Sequence, residues 1–221
     1  MFFIYRILIN LIILISPLII LVRLIKNKED KSRFKEKFCF FTKKRSKGNL
    51  IWFHGSSVGE ILSVIPLIEK LEKKKSVDTI LITSSTLSSS KVLSNFKLKK
   101  TIHQFFPIDS NLLTKKFLSY WKPSAAIFID SEIWPNILLN IKKKNIPLIL
   151  LNARITKKSY NRWKIIPCTA KKLFQNFDIC FSQNQETRRY LKILGAKKIK
   201  FLGNLKFSES KSQKIIIFII S

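Results

Sequence analysis

The 221 residues are 46% hydrophobic and 12% aromatic, apolar material enough for one large core or two small ones, which excludes a disordered polymer. The 42 Lys and Arg residues against 13 Asp and Glu give a formal charge of +29, so the folded surface attracts anionic partners: nucleic acid, anionic lipid or phosphorylated substrates. Lys far outnumbers Arg and glycine is scarce, as in an AT-rich coding sequence, so part of the excess is compositional and charge alone names no ligand.

Residues 2–25, FFIYRILINLIILISPLIILVRLI, form an apolar run as long as the roughly 20 residues that cross a bilayer, interrupted by Arg6, Asn10 and Pro17. The run reads as a membrane-anchor helix, either spanning the bilayer or lying in its interface with Arg6 snorkelling. A cleavable leader fits less well. No small-residue cleavage site follows; a basic stretch does, with Arg23, Lys26, Lys28, Lys31, Arg33, Lys35 and Lys37. By the positive-inside rule that flank stays in the cytoplasm, and residues 26–48 read as a basic linker to a cytoplasmic globular part.

From residue 49 short apolar runs alternate with longer amphipathic ones. The pattern predicts strands near 50–54, 79–83, 101–106, 125–130, 147–151, 178–182 and 199–202. Helices are expected between them, at about 58–74, 110–120, 134–144 and 185–194, the last stopped by Gly195 as a C-cap. This is an α/β chain: a Rossmann-like parallel sheet with crossover helices over residues 49–207, preceded by the membrane helix. Residues 208–221 carry a Lys and Ile run without turn signals and read as an aberrant or truncated tail. Cys39, Cys168 and Cys180 are scattered and suit structural roles in a reducing compartment.

The strand at 50–54 runs through the small-residue turn HGSSVGE into a helix that opens with Glu60, which places one carboxylate at a cleft. A capping box between Ser57 and Glu60 explains the same residues, and Gly55, Ser57 and Gly59 also satisfy GxSxG, the nucleophile elbow of hydrolases. The chain has only His54 and His103, and neither sits where a late triad histidine belongs. Asp130, Ser131 and Glu132 follow another strand, where ligands of open α/β sheets bind; capping by Ser131 with Pro135 in the first turn is the plainer alternative. Asn152 and Arg154 leave a third strand, with the Arg fork free to bind phosphate or carboxylate, or to pair with an acid such as Glu132. Gln183, Asn184 and Glu186 read as local caps. No spacing of His, Cys or Asp suggests a metal.

Four segments together, HGSSVGE at 54–60, SEIWPN at 131–136, NAR at 152–154 and GNLKF at 203–207, resemble the 3-deoxy-D-manno-octulosonic acid (Kdo) transferases, which attach Kdo to the lipid A precursor of Gram-negative bacteria. The likeness spans nearly the whole chain. It implies the N-terminal, acceptor-binding domain of a GT-B glycosyltransferase on the cytoplasmic face of the inner membrane. Its partners would be the lipid A precursor and anionic membrane lipid. The donor, CMP-Kdo, would sit on a second domain beyond these residues, with no metal or other cofactor, so the chain alone is expected to bind acceptor yet transfer poorly.

The resemblance also implies roles. Glu60 matches the general base, kept ionised by the helix N-terminus. Asp130, one methylene shorter than the Glu usual there, and Lys206, near developing charge, complete the catalytic set. Ser56, Ser57, Gly59, Arg33, Glu132, Asn152 and Arg154 fall to acceptor binding. Arg33 and Glu36 lie in SRFKEKF, where Lys37 and Cys39 replace a usual Arg and Gly. The alternative is a membrane-tethered basic module that binds anionic lipid without catalysis. Nucleic acid stacked on Trp121, Trp134 and Trp163 is not expected, because those tryptophans have core-like surroundings.

Overall fold

The computed structural model describes residues 1–203 and Ile215. Seven apolar runs become strands: β1 (Leu50–His54), β2 (Thr79–Ser84), β3 (Thr101–Phe105), β4 (Ala125–Ile129), β5 (Leu148–Ala153), β6 (Ile179–Ser182) and β7 (Ile199–Phe201). All pair in parallel, in the order β3-β2-β1-β4-β5-β6-β7. β1, β2, β4, β5 and β6 are buried throughout, as parallel strands covered on both faces must be. The helices are α1 (Phe2–Ile25), α2 (Val58–Glu72), α3 (Leu87–Leu93), α4 (Asn111–Trp121), α5 (Pro135–Lys143), α6 (Lys157–Lys164), α7 (Pro167–Phe174) and α8 (Gln185–Ile193). This is the doubly wound, Rossmann-like arrangement expected from the alternating pattern.

Alternation along the strands sorts the core into two layers. Ile51, Phe53, Ile127, Ile129, Ile149 and Leu151 face one side, where α2 contributes Ile61, Val64, Ile65, Ile68 and Leu71. Trp52, Phe128, Leu148 and Leu150 face the other, against α4, α5, α7 and α8. Gly195 ends α8 as expected. It adopts φ +100, and the Ala196 N–H returns to the Leu191 carbonyl at 3.0 Å while the Gly195 N–H reaches Lys192 at 3.2 Å, a Schellman closure that any Cβ would strain.

Residues 26–48 are more than a basic linker. A 3-10 turn at Phe34–Phe38 carries Glu36 into the interior, fully buried, where its carboxylate accepts both the Arg33 fork (2.8 and 3.0 Å) and the Phe105 N–H (2.8 Å). Thr42 donates to the same carboxylate. Arg33 also reaches the His103 carbonyl at 2.8 Å and lies over the Phe105 ring, so the segment is clamped to the edge of the sheet. The turn ends at Cys39, whose φ of +59 lies in the left-handed region; a glycine would occupy it without strain. Of the cysteines, Cys39 and Cys180 are buried and Cys168 is exposed, all of them free thiols.

The apolar run folds into α1 as one helix through Pro17. One stripe docks on the domain. Tyr5 donates to Asp109 at 2.8 Å and Arg6 to the Asn136 side chain at 3.1 Å; Ile13 packs on the core, and Ile9, Ser16 and Ile20 are buried. Beyond its last turn, Glu29 binds both Arg23 (2.9 Å) and Lys37 (2.7 Å). Arg6 therefore does not snorkel; it is a hydrogen-bond donor to α5. The opposite face stays apolar and open, with Phe3 75% and Leu14 78% exposed. The tail at 208–221 lies outside the described residues, Ile215 excepted.

Removing Arg33 would leave the Glu36 charge buried and half-satisfied. Arg33→Ala is expected to lower the unfolding free energy by about 3 kcal/mol in urea titrations. An unchanged midpoint would show that the clamp contributes nothing.

Candidate functional site

The strand order reverses between β1 and β4, and the loops that leave their carboxyl ends turn to opposite faces, opening a crevice. A cleft of about 690 Å³ occupies that position, with Ser57, Gly59, Glu60, Asp130, Asn152, Arg154 and Asn184 among the residues that line it. Four loops, after β1, β4, β5 and β6, converge there because their strands are neighbours on one half of the sheet.

The turn after β1 sets Glu60. Ser57 caps α2 by accepting the Glu60 N–H at 3.3 Å, and the Glu60 carboxylate accepts the Ser57 hydroxyl (2.6 Å) and the Ser56 N–H (2.8 Å). The capping box is thus real, with the carboxylate returning to the residue before the cap, and the same carboxylate still faces the cleft. Capping and exposure to a ligand are one geometry here. Gly55 packs tightly, since a Cβ there would lie 3.1 Å from the Glu60 Cβ and 3.2 Å from Ile129; Gly59 faces open space.

Electrostatics correct the expectation for Glu60. Burial pushes its pKa up, the nearby Glu132 and Asp130 carboxylates push the same way, and the Ser57 and Ser56 donors offset only part of the rise. The helix N-terminus does not win. Glu132 goes the other way: burial opposes its ionisation, but hydrogen bonds from His54, Ser56 and Trp134 hold its pKa below the ordinary value. All three donors meet one oxygen, Oε2, at 3.1 Å from His54 Nε2, 2.6 Å from the Ser56 hydroxyl and 2.7 Å from Trp134 Nε1. Two neighbouring carboxylates, one lining the crevice and one behind its wall, are therefore driven apart in pKa.

His54 is the residue that the sequence reading passed over. It is fully buried, stacked on Phe106 with ring centroids 3.7 Å apart, and hydrogen bonded through Nδ1 to the Thr83 hydroxyl at 3.0 Å. Nε2 donates to the Glu132 carboxylate, and Nδ1 lies 3.0 Å from the Thr83 hydroxyl and 3.2 Å from the Thr83 carbonyl oxygen. His54 thereby positions Glu132, which holds Ser56, whose N–H holds Glu60. The signal was available in the chain: a histidine ending a buried strand immediately before the turn.

The hydrolase reading fails on the same contacts. Ser57 is bonded to Glu60, not to an imidazole. His103 lies in β3 against Arg33 and Ser84, its pKa pushed down to about 3 by burial and the Arg33 charge.

Asp130 and Asn152 adopt left-handed φ of +62 and +54 at the ends of adjacent strands, the latter beside a register shift in the β5 and β6 pairing. Both residue types tolerate that region, and the bulge turns the chain so that Asn152 and Arg154 border the cleft. Arg154 is exposed and, among the described residues, has no ion pair; Glu132, its expected partner, is taken by His54. Ser131 does not cap α5. The Asp109 carboxylate does, accepting the Asn136 and Ile137 N–H groups at 2.9 and 2.8 Å, with Pro135 in the first turn. Asn184 caps α8 as expected, accepting the Thr187 N–H at 2.7 Å, and lines the cleft as well.

Of the remaining expectations, Ser56 and Glu132 sit behind the cleft wall as supports. Arg33 lies away from it, beside a separate 360 Å³ pocket with Lys43 and Ser90. Lys206 lies outside the described residues. Among the described residues, the charged side chains that line the cleft are Glu60, Asp130 and Arg154. Among the described residues no cluster of three His, Cys, Asp or Glu could hold a metal ion.

A family model described as 3-deoxy-D-manno-octulosonic-acid transferase matches residues 32–209. A curated relative of that name from Rickettsia bellii is 37% identical over 193 residues, covering 87% of this chain and 46% of the relative. Another from Rickettsia typhi is 41% identical over 167 residues, 74% of this chain and 35% of the relative. The chain spans less than half the length of these two. In fold it is similar to a UDP-GlcNAc 2-epimerase from Neisseria meningitidis (TM-score 0.52, 18% identity, 72% of this chain and 47% of that one), a likeness of architecture alone.

Substituting Glu132 tests the coupling between the two acids. In Glu132→Gln the Glu60 midpoint, read by carboxyl NMR, is expected to move down toward the ordinary value without reaching it, because burial remains; a fixed midpoint would show that the two charges do not interact.

Proposed function

Because this chain belongs to the 3-deoxy-D-manno-octulosonic-acid transferase family, we propose that it is the acceptor-binding half of a glycosyltransferase that moves Kdo from CMP-Kdo to the lipid A precursor in lipopolysaccharide biosynthesis. The observation that carries this reading is Glu60: a carboxylate at the head of α2, open to the crevice at the strand-order reversal, with its pKa raised by burial.

In the proposed reaction a glucosamine hydroxyl of the acceptor attacks the anomeric carbon of Kdo. The new carbon–oxygen bond forms as the bond to the CMP phosphate breaks from the opposite face, which inverts the centre. Glu60 accepts the hydroxyl proton. A raised pKa suits this duty, since a carboxylate near the operating pH takes a proton more readily than a strongly acidic one. The Ser57 and Ser56 donors fix its direction, and His54 through Glu132 fixes Ser56.

Arg154, exposed at the rim, is the cation available for an anionic group of the acceptor, and Asp130 and Lys206 are assigned to the transition state by position in the family pattern. No metal enters the step.

Membrane placement follows the same logic. A helix docked along one stripe, with its apolar outer face open, fits the interface plane of the cytoplasmic leaflet, since a spanning orientation would carry the polar surface beside Tyr5 and Asp109 into hydrocarbon. Lysines exposed after α1 would meet anionic headgroups there.

The chemistry is tested in a chimera that joins residues 1–203 to the remaining half of the Rickettsia bellii relative. Glu60→Gln is expected to cut transfer from CMP-Kdo by about 100-fold to 10,000-fold; near-wild-type turnover would remove Glu60 from the mechanism. For the membrane, cysteines placed singly at Phe3 and Lys26 in a Cys168→Ser background, which removes the exposed native thiol, are expected to react with an impermeant maleimide from the same side of sealed vesicles. Labelling from opposite sides would establish a span instead.

A further inference from the structure

Another cavity, of about 260 Å³, is lined in part by Ile133 and Trp134, of the same loop as the cleft residue Asp130, and differs from the cleft in chemistry. Its walls are the first turns of α1 through Phe2 and Tyr5, the loop before α5 through Trp134, and the α6 and α7 pair through Trp163, Thr169 and Leu173. Two of its polar atoms already have partners: the Tyr5 hydroxyl donates to Asp109 at 2.8 Å and Trp134 Nε1 donates to Glu132 at 2.7 Å. Those two aromatics therefore present ring carbon inward, a lining that suits hydrocarbon and disfavours water or sugar.

Trp134 stands between the two sites. Its indole N–H holds the carboxylate that supports Ser56 and the cleft, while its ring lines the apolar cavity, and Asp130 of the same loop lines the cleft. On the outer side, Phe3 and Ile4 of α1 are 75% and 59% exposed and continue the apolar surface. A molecule with a sugar head in the cleft and a hydrocarbon tail passing toward the open face of α1 would meet this cavity on the way.

We propose that the cavity seats one fatty acyl chain of the acceptor whose sugar occupies the cleft; the assignment rests on the glycosyltransferase reading above. Anchoring one chain beside Trp134 sets the height of the sugar over Glu60, so the lipid is selected by its acylation as well as by its head.

The test uses water-soluble probes: glucosamine disaccharide bisphosphate, bare or carrying a single acyl chain of 6 to 12 carbons, below micelle-forming concentration. Binding to the chain is expected to tighten about fourfold per added methylene. In Thr169→Trp, which fills the cavity, the series is expected to flatten while the bare disaccharide binds as before. A diazirine at the chain end is expected to label the peptide around Trp163–Leu173, which reads the same contact in unmodified protein. A flat series in the unmodified chain, a slope that survives Thr169→Trp, or label confined to the outer face of α1 overturns the acyl site and leaves the transferase reading standing. No binding by the bare disaccharide or any acylated form overturns both.

Discussion

The reversal of strand order between β1 and β4 is the constraint on which the site depends. Right-handed crossovers send the connections from the two halves of a parallel sheet to opposite faces, and the loops at the junction cannot close over it. Everything placed in that gap is held by backbone that the sheet has already ordered. Glu60 begins the helix after β1, Asp130 ends β4, and Asn152 ends β5, so three chain segments far apart in sequence deliver polar groups to one crevice without any of them lying on a long mobile loop.

Within that frame, one carboxylate oxygen organises the others. Glu132 Oε2 collects donors from a buried histidine, a serine of the β1 turn and an indole, and thereby ties the loop after β4 to the end of β1. Its three donors hold the buried Glu132 below the usual carboxylate range, while burial, and after it the Glu132 charge, raises the pKa of its neighbour Glu60. The site thus stores a pKa difference between two acids of the same kind. Under the proposed reaction proton transfer falls to Glu60, because Glu132 is saturated with donors.

The N-terminal helix joins this arrangement through Asp109. That carboxylate caps α5 and accepts from Tyr5 of α1, and burial pushes its pKa up to about 6. The same α5 carries Asn136, which takes Arg6 of α1. The apolar segment is consequently a structural part of the sheet domain, aligned with the loop that holds Glu132, and its outward face stays apolar and exposed. A few hydrogen bonds thus fix the N-terminal helix and the loop that holds Glu132 in one coordinate frame.

Periodicity alone determined the sheet. All seven strands appear within about two residues of their expected positions, because each short apolar run needed burial on two faces, and α2, α4, α5 and α8 follow their stripes closely. Glu60, Asp130, Asn152 and Arg154 were legible as cleft residues for the same reason: strand ends at a switch point face one crevice. Only the tertiary structure decided the partners. It gave Glu132 to His54 instead of Arg154, the cap of α5 to Asp109 instead of Ser131, and turned the basic segment after α1 into a clamp around the buried Glu36. It also reversed the expected sense of the Glu60 pKa. Apart from the local Arg33–Glu36 pair, these contacts join residues from 27 to 78 positions apart, and no local propensity encodes them; they follow from which loops the sheet brings within hydrogen-bond reach and how much water it leaves there.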